Sequence, residues 1–201
     1  DAGVVARLTD AALVGSASTL NIGRGSGVME SRLALAKPGA PMRFGAFTVT
    51  FIESKHAGAT GGNPTGDIVA PLKTPARYLD YKQGGTYSIL IEHALGTVLF
   101  HGSAGVVPGA LKGRRADWVM LGVALVDDNE AYLRELVDVT GATRVIPIHW
   151  DDFTRPFDEP PIPNLIGVDL PQFFAVMART RPQISVQTLG FGAPTVLRGP
   201  P

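Results

Sequence analysis

The stretch Thr86 to Gly105, TYSILIEHALGTVLFHGSAG, constrains this chain more than any other. It predicts two short strands, Thr86 to His93 and Thr97 to His101, joined at Ala94-Leu95-Gly96. Gly96 supplies a residue that tolerates positive φ at the turn. The first strand is apolar and β-branched, and the second stops abruptly at Gly102-Ser103-Ala104-Gly105. A buried strand that ends in small residues with polar side chains at its tip is a common way to build a site. Two of the four histidines, His93 and His101, lie here. The other two, His56 and His149, also follow apolar strand-like runs.

The rest of the chain reads as alternating strands and helices. Asp1 to about Thr9 predicts a helix with Ala2, Val4, Val5 and Leu8 on its apolar face. Ala12 to Val14 is a short strand, and Ser16 opens a short helix followed by a Gly-rich loop. Leu33 to Ala36 is a brief strand. Phe47 to Glu53 is a better one, because Phe47, Val49 and Phe51 alternate with Thr48 and Thr50. His56 to Asp67 carries four glycines and a proline and predicts a long loop.

Beyond the hairpin, Val106 to Arg115 is a connection. Trp118 to Gly122 and Arg144 to Ile148 are buried strands. Between them, Asp127 or Asp128 caps a helix to about Thr140, with Leu133, Leu136, Val137 and Thr140 on one face and Gly141 closing it. Asp151 to Val168 is a proline-rich loop. Asp169 and Gln172 open a helix to about Thr180. Ile184 to Leu189 and Pro194 to Leu197 are late strands. The pattern predicts a layered α/β protein with mixed sheets.

Composition narrows the function classes. The chain has 201 residues, enough for one domain, and is 45% hydrophobic and 18% charged. Lys and Arg number 18, as do Asp and Glu, so no basic surface points to nucleic acid or an anionic membrane. No apolar run approaches the ~20 residues that span a bilayer. With no cysteine, neither a disulfide nor a thiolate metal site is possible. The compartment stays open between cytoplasm and periplasm.

The candidate chemistry sits at strand ends. His56 opens a flexible loop after a strand, as a metal ligand or acid–base group would; the plain alternative is an exposed loop histidine. His149, in VIPIHWDDF, stands at the tip of a buried strand. Trp150 could wall a pocket there, and Asp151 and Asp152 could orient the imidazole, act as a base or bind metal. A polar cluster capping the loop is the plain alternative. Ser103 lies in H-G-S-A-G, close to the nucleophile elbow G-x-S-x-G, but His101 replaces the first glycine and Val106-Val107-Pro108-Gly109 is a poor helix start. Ser103 otherwise lines the rim, or fills a tight turn. His93 is expected near the surface. His101 shares a face with Ser103 if the strand stays regular, and both histidines read most plainly as core or rim residues.

Taken together, FTVTFIESKHAG, TYSILIEHALGTVLFHGSAG, ADWVMLG and TRVIPIHWDDF resemble the metallo-β-lactamase-fold hydrolases, in the lactonase-like and phospholipase-like group. The resemblance runs from Asp1 to about Phe153. It implies a four-layer αββα sandwich of two mixed sheets in a single domain over 1–201. By the same resemblance, His56 falls at the histidine that completes the first metal site and His149 at the late histidine of the second. Ser103 falls where most members place an aspartate bridging two metals. A hydroxyl is a weaker ligand than a carboxylate, which moves the expectation toward a single metal.

The leading signature H-x-H-x-D-H does not occur. The resemblance therefore implies that the sequence starts downstream of it, with the first strands and the first metal motif upstream, on an N-terminal fragment of the same protein. The implied activity is hydrolysis of a small-molecule ester, lactone, amide or phosphodiester by metal-activated water. Zinc is the expected metal, as one or two divalent ions, with manganese or iron as alternatives. His56, His149 and Ser103 would lie at the metal, and Asp151 and Asp152 would assist. Two rivals remain: a metal-free, non-catalytic member of the fold, and a serine hydrolase using Ser103 with His149 and an aspartate.

Overall fold

Helices and strands alternate along the chain much as the hydrophobic pattern predicts. The computed structural model describes residues 2–57, 64–156, 161–190, 192 and 194–198. The chain divides into two units, Asp1–Pro38 with Ala59–Thr86, and Gly39–Gly58 with Tyr87–Pro201.

In the first unit, helix α1 (Ala2–Thr9) leads into strand β1 (Leu13–Gly15), helix α2 (Ala17–Gly25) and strand β2 (Leu33–Leu35). Strands β1 and β2 pair in parallel. Ser16 caps α2, its hydroxyl accepting from the Thr19 amide at 3.3 Å. Ala6, Leu13 and Val28 form a small core with Leu33 packed against it. The described part of 64–86 is pinned to α2 by polar groups: Asn21 Nδ2 donates to the Ile68 carbonyl at 2.6 Å, and the Ile68 amide donates to Ser18 Oγ at 2.9 Å. Gly25 permits this close approach, because a Cβ there would collide with the Leu72 backbone.

The second unit is built on a seven-stranded sheet in the order β3-β4-β5-β6-β7-β8-β9. Its strands are β3 (Pro41–Phe44), β4 (Phe47–Glu53), β5 (Tyr87–His93), β6 (Gly96–His101), β7 (Trp118–Gly122), β8 (Arg144–Ile148) and β9 (Ser185–Val186). Pairing is antiparallel from β3 to β6 and parallel from β6 to β9. Strands β4, β6, β7 and β8 therefore run the same way and end on one edge of the sheet. That edge is where an open α/β sheet places its ligands.

One face of this sheet is closed by helices. Leu90, Leu99, Val119 and Val145 occupy successive strands in register and share a buried cluster with Tyr132, Leu133, Leu136, Val137, Phe173 and Met177. At roughly 1.5–3 kcal/mol per large apolar side chain removed from water, this cluster dominates the unit's stability. Helix α3 (Asn129–Leu133) carries the first of those residues and continues as a π-helical turn (Arg134–Asp138). Asp128 caps it, accepting from the Glu130 and Ala131 amides. Helix α4 (Leu170–Thr180) is capped by Asp169, which accepts from the Gln172 amide at 2.9 Å.

The structure amends three expectations. Strand β3 is additional: Gly45, at φ +59, turns Phe44 back onto Phe47. The strand expected at 184–189 is only Ser185–Val186. Residues 194–197 join no ladder. Instead the Arg198 carbonyl accepts from Trp118 Nε1 at 2.7 Å and from Arg144 at 2.8 Å.

Candidate functional site

Three of the expected site positions follow strands that end on the same edge of the sheet. His56 follows β4, Ser103 follows β6, and His149 follows β8. Neighbouring β-strands lie ~4.8 Å apart, so with one strand between them each successive pair of launch points is two spacings, roughly 10 Å, apart. The loop after β4 closes the first of these gaps. Lys55 forms a bridge with Gly105, and Ser54 Oγ donates to the Gly105 carbonyl at 3.1 Å. Two residues on, the Ala57 amide donates to Ser103 Oγ at 2.8 Å. His56 and Ser103 are thus brought side by side across β5. The contact depends on a glycine, since a Cβ on Gly105 would lie 2.3 Å from the His56 carbonyl oxygen.

His149 is held differently. Its backbone is left-handed at φ +57, a conformation that L residues adopt at a cost. Its ring packs edge-on against Phe153 with centroids 5.6 Å apart. Asp151 pairs with Asn164 through a backbone bridge. Asp152 turns into its own loop, where Oδ1 accepts from the Thr154 amide at 3.1 Å and the Thr154 hydroxyl at 2.5 Å. Those bonds hold its carboxyl below the usual carboxylate range. The loops expected to shape a substrate pocket, 56–67 and 151–164, fall partly outside the described residues.

His101 is a core residue, the plainer of its expected readings, but it does not share a regular strand face with Ser103. Strand β6 ends at this residue, so the regular alternation that would put His101 and Ser103 on one face stops before Ser103. The side chain enters the helix-covered core and is 1% exposed. Nδ1 lies 2.7 Å from Ser88 Oγ, and the ring packs against Tyr132 at 5.6 Å. Nε2 has no hydrogen-bond partner within bonding geometry. Burial pushes the imidazole down to about 4, against a weaker upward pull from the Gly105 backbone. His93 instead sits at the hairpin turn, stacked on Phe47, with Nδ1 accepting from the Leu95 amide.

Ser88 and Tyr132 are the polar residues that reading the sequence passed over. The Tyr132 hydroxyl donates to the Gly122 carbonyl at 2.7 Å, and burial raises its phenol. Ser88 was legible in principle. The hairpin pairs Ile89 with Phe100, so one step further along Ser88 faces His101.

A cavity of about 350 Å³ opens beside the same loop, lined by Ala104, Gly105, Val126, Asp128 and Tyr132 among others. The elbow reading of Ser103 loses its local support, because turns rather than a helix follow it through residue 115. Among the described residues, no three His, Asp or Glu side chains stand together as a metal site. The residues present therefore do not by themselves fit a complete metal centre. No helix among the described residues is long and apolar enough to cross a membrane.

No family model and no curated protein matches the chain. Solved structures do. The metallo-beta-lactamase fold protein YhfI from Bacillus subtilis is similar with a TM-score of 0.52 and 13% identity, over 92% of this chain and 66% of that one. The isothiocyanate hydrolase from Delia radicum gut bacteria is similar with a TM-score of 0.57 and 13% identity, over 94% of this chain and 68% of that one. The chain thus spans about two thirds of the length of each. At this identity the likeness speaks to architecture: the mixed sheet and its helices are those of the metallo-β-lactamase fold.

Proposed function

We propose that this chain belongs to a metal-dependent hydrolase, as one domain over its 201 residues, with His56 and His149 as two ligands of a divalent metal centre. The supporting observation is His149 itself. A histidine held at φ +57 on the tip of a buried strand is a strained residue on the edge where this kind of sheet binds ligands. Ser103 would line the centre, and Asp151 and Asp152 would shape its surroundings. Zinc is the first metal to test, then manganese and iron. The substrate class is a small ester, lactone, amide or phosphodiester. A metal in such a site supplies Lewis acidity and a more acidic bound water. The described residues do not complete the ligand set, so the remaining ligands are to be sought beyond them.

The test is metal analysis of the purified protein, followed by zinc titration of His56→Ala and His149→Ala. Stoichiometric metal that both substitutions weaken supports the reading. Metal content unaffected by either substitution, or no binding at micromolar zinc, overturns it for this chain.

A metal-free, non-catalytic member of the fold is the second reading. It is favoured by the Ser103 hydroxyl, which the structure uses to hold the Ala57 amide. A protein that binds no metal yet keeps its fold would support it.

A further inference from the structure

Beneath the loop that carries Ser103 lies a buried histidine with a job the hydrolase reading does not use. We propose that His101 is a positioning residue, one that fixes the Gly102–Gly105 loop so that Ser103 and His56 meet. The inference rests on reading that strand edge as the functional site.

The geometry forms a continuous chain of contacts. Ser88 Oγ fixes the His101 ring through Nδ1 at 2.7 Å. Tyr132, itself tied to the Gly122 carbonyl, packs against the ring and limits its rotation. Gly122 in turn abuts the Gly102 backbone, where an added Cβ would lie 2.9 Å from the carbonyl carbon. The Gly105 backbone also acts on the imidazole, less strongly than burial does. The Gly105 carbonyl accepts from Ser54, and Gly105 bridges Lys55. The next two residues are His56 and Ala57, and the Ala57 amide holds Ser103.

The ring is held by one hydrogen bond, at Nδ1, and by packing against Tyr132, while Nε2 is buried with no hydrogen-bond partner among the described residues. The imidazole then acts as a strut between two strands and the loop above them. Its neutral form suffices, and no proton transfer is involved.

Amide hydrogen exchange at Ala57 reads the strut directly, in the whole chain and without added metal. In His101→Leu, the Ala57 amide should exchange about tenfold faster while the Val119 and Val145 amides keep their rates. His101→Asn, whose side-chain amide stands near the place of Nδ1 and can meet Ser88, should restore most of the protection. If His101→Leu does not fold, Ser88→Ala takes its place, with the same selective loss at Ala57 expected. Unchanged exchange at Ala57 in a folded variant overturns the proposal. So does a rise shared equally by Val119 and Val145, which would mean general destabilisation. Because no metal is present, failure of zinc binding leaves this outcome readable, and failure here leaves the zinc titration readable.

Discussion

The Ala57 amide donates to the Ser103 hydroxyl at 2.8 Å, joining the loop after β4 to the loop after β6 across an intervening strand. The bond gives Ser103 a structural role wherever the chemistry lies. Ser103→Ala should cost about 1 kcal/mol, the ordinary worth of a partly buried hydrogen bond, measured by chemical denaturation. Ser103→Asp keeps an acceptor for that amide and adds a carboxylate, a much harder and stronger ligand. It should tighten zinc binding by about tenfold or more relative to the natural serine, measured by calorimetric titration. Equal zinc affinity in the two proteins would place Ser103 away from any metal.

His101 sets an acid limit on stability. Its folded-state pKa, about 4, lies below its ordinary value of 6.5. Between those values the unfolded chain binds a proton that the folded chain refuses, so stability rises with pH across the window. The contribution is complete above pH 6.5 or so and disappears progressively as the pH falls toward 4. It is worth roughly 3 kcal/mol, the size of the shift at about 1.4 kcal/mol per unit. Thermal unfolding of the metal-free chain between pH 7 and 4 should show this slope, and His101→Gln should flatten it. A slope retained in the glutamine variant would assign the limit to other groups.

How far these features could be read in advance depends on how local they are. The β5–β6 hairpin, the capped helix after Asp128 and its buried face of Leu133, Leu136, Val137 and Thr140 follow from short-range pattern, and the structure shows them all. Strand β3 is hard to read in advance because Met42 and Phe44 alternate with Pro41 and Arg43 over only four residues, too short a run to signal a strand. Only its pairing with β4 makes it a strand. Residues 194–197 have strand composition but join no ladder, and the Trp118 and Arg144 side chains bond the Arg198 carbonyl that follows them. His101 was ambiguous for a related reason. Alternation says which face a residue takes while the strand lasts, and β6 ends there. The approach of His56 to Ser103 depends on a loop that crosses β5, and nothing local in either segment encodes that crossing.

Gly105 and Gly109 offer a matched contrast. A Cβ at Gly105 would lie 2.3 and 2.4 Å from the His56 and Lys55 carbonyl oxygens, which are backbone atoms held by neighbouring bonds. Gly105→Ala must therefore push the two loops apart, at a cost of about 2 kcal/mol or more. Gly109 is left-handed at φ +75 with open space around it. Gly109→Ala meets only backbone strain, about 1 kcal/mol. Denaturant midpoints should rank Gly105→Ala well below Gly109→Ala. The Gly105 variant should also lose protection at the Ala57 amide, which the Gly109 variant should keep. A reversed order would mean that the approach of the two loops is looser than these distances imply.

Arg181 ties the end of α4 to the helix before it, and the arrangement is asymmetric. Its side chain is 5% exposed, whereas Glu130 and Asp138 are 60% and 41% exposed. The guanidinium meets Asp138 through Nε at 2.8 Å and one terminal nitrogen at 2.7 Å, and meets Glu130 at 3.0 and 3.1 Å. Removing the arginine frees two carboxylates that water can reach. Removing Asp138 leaves a buried cation with one exposed partner. Arg181→Met, which keeps much of the apolar stem, should therefore cost only about 1 kcal/mol. Asp138→Ala should cost more, about 2 kcal/mol once the exposure of the carboxylate is discounted. Glu130, whose carboxyl Arg181 holds below its usual range, adds a small contribution that is present at neutral pH and lost in acid. Urea unfolding of the two variants at pH 7 decides the point. If Arg181→Met is the more damaging, the guanidinium contributes through the pairing itself, and burial of its charge is not the governing cost.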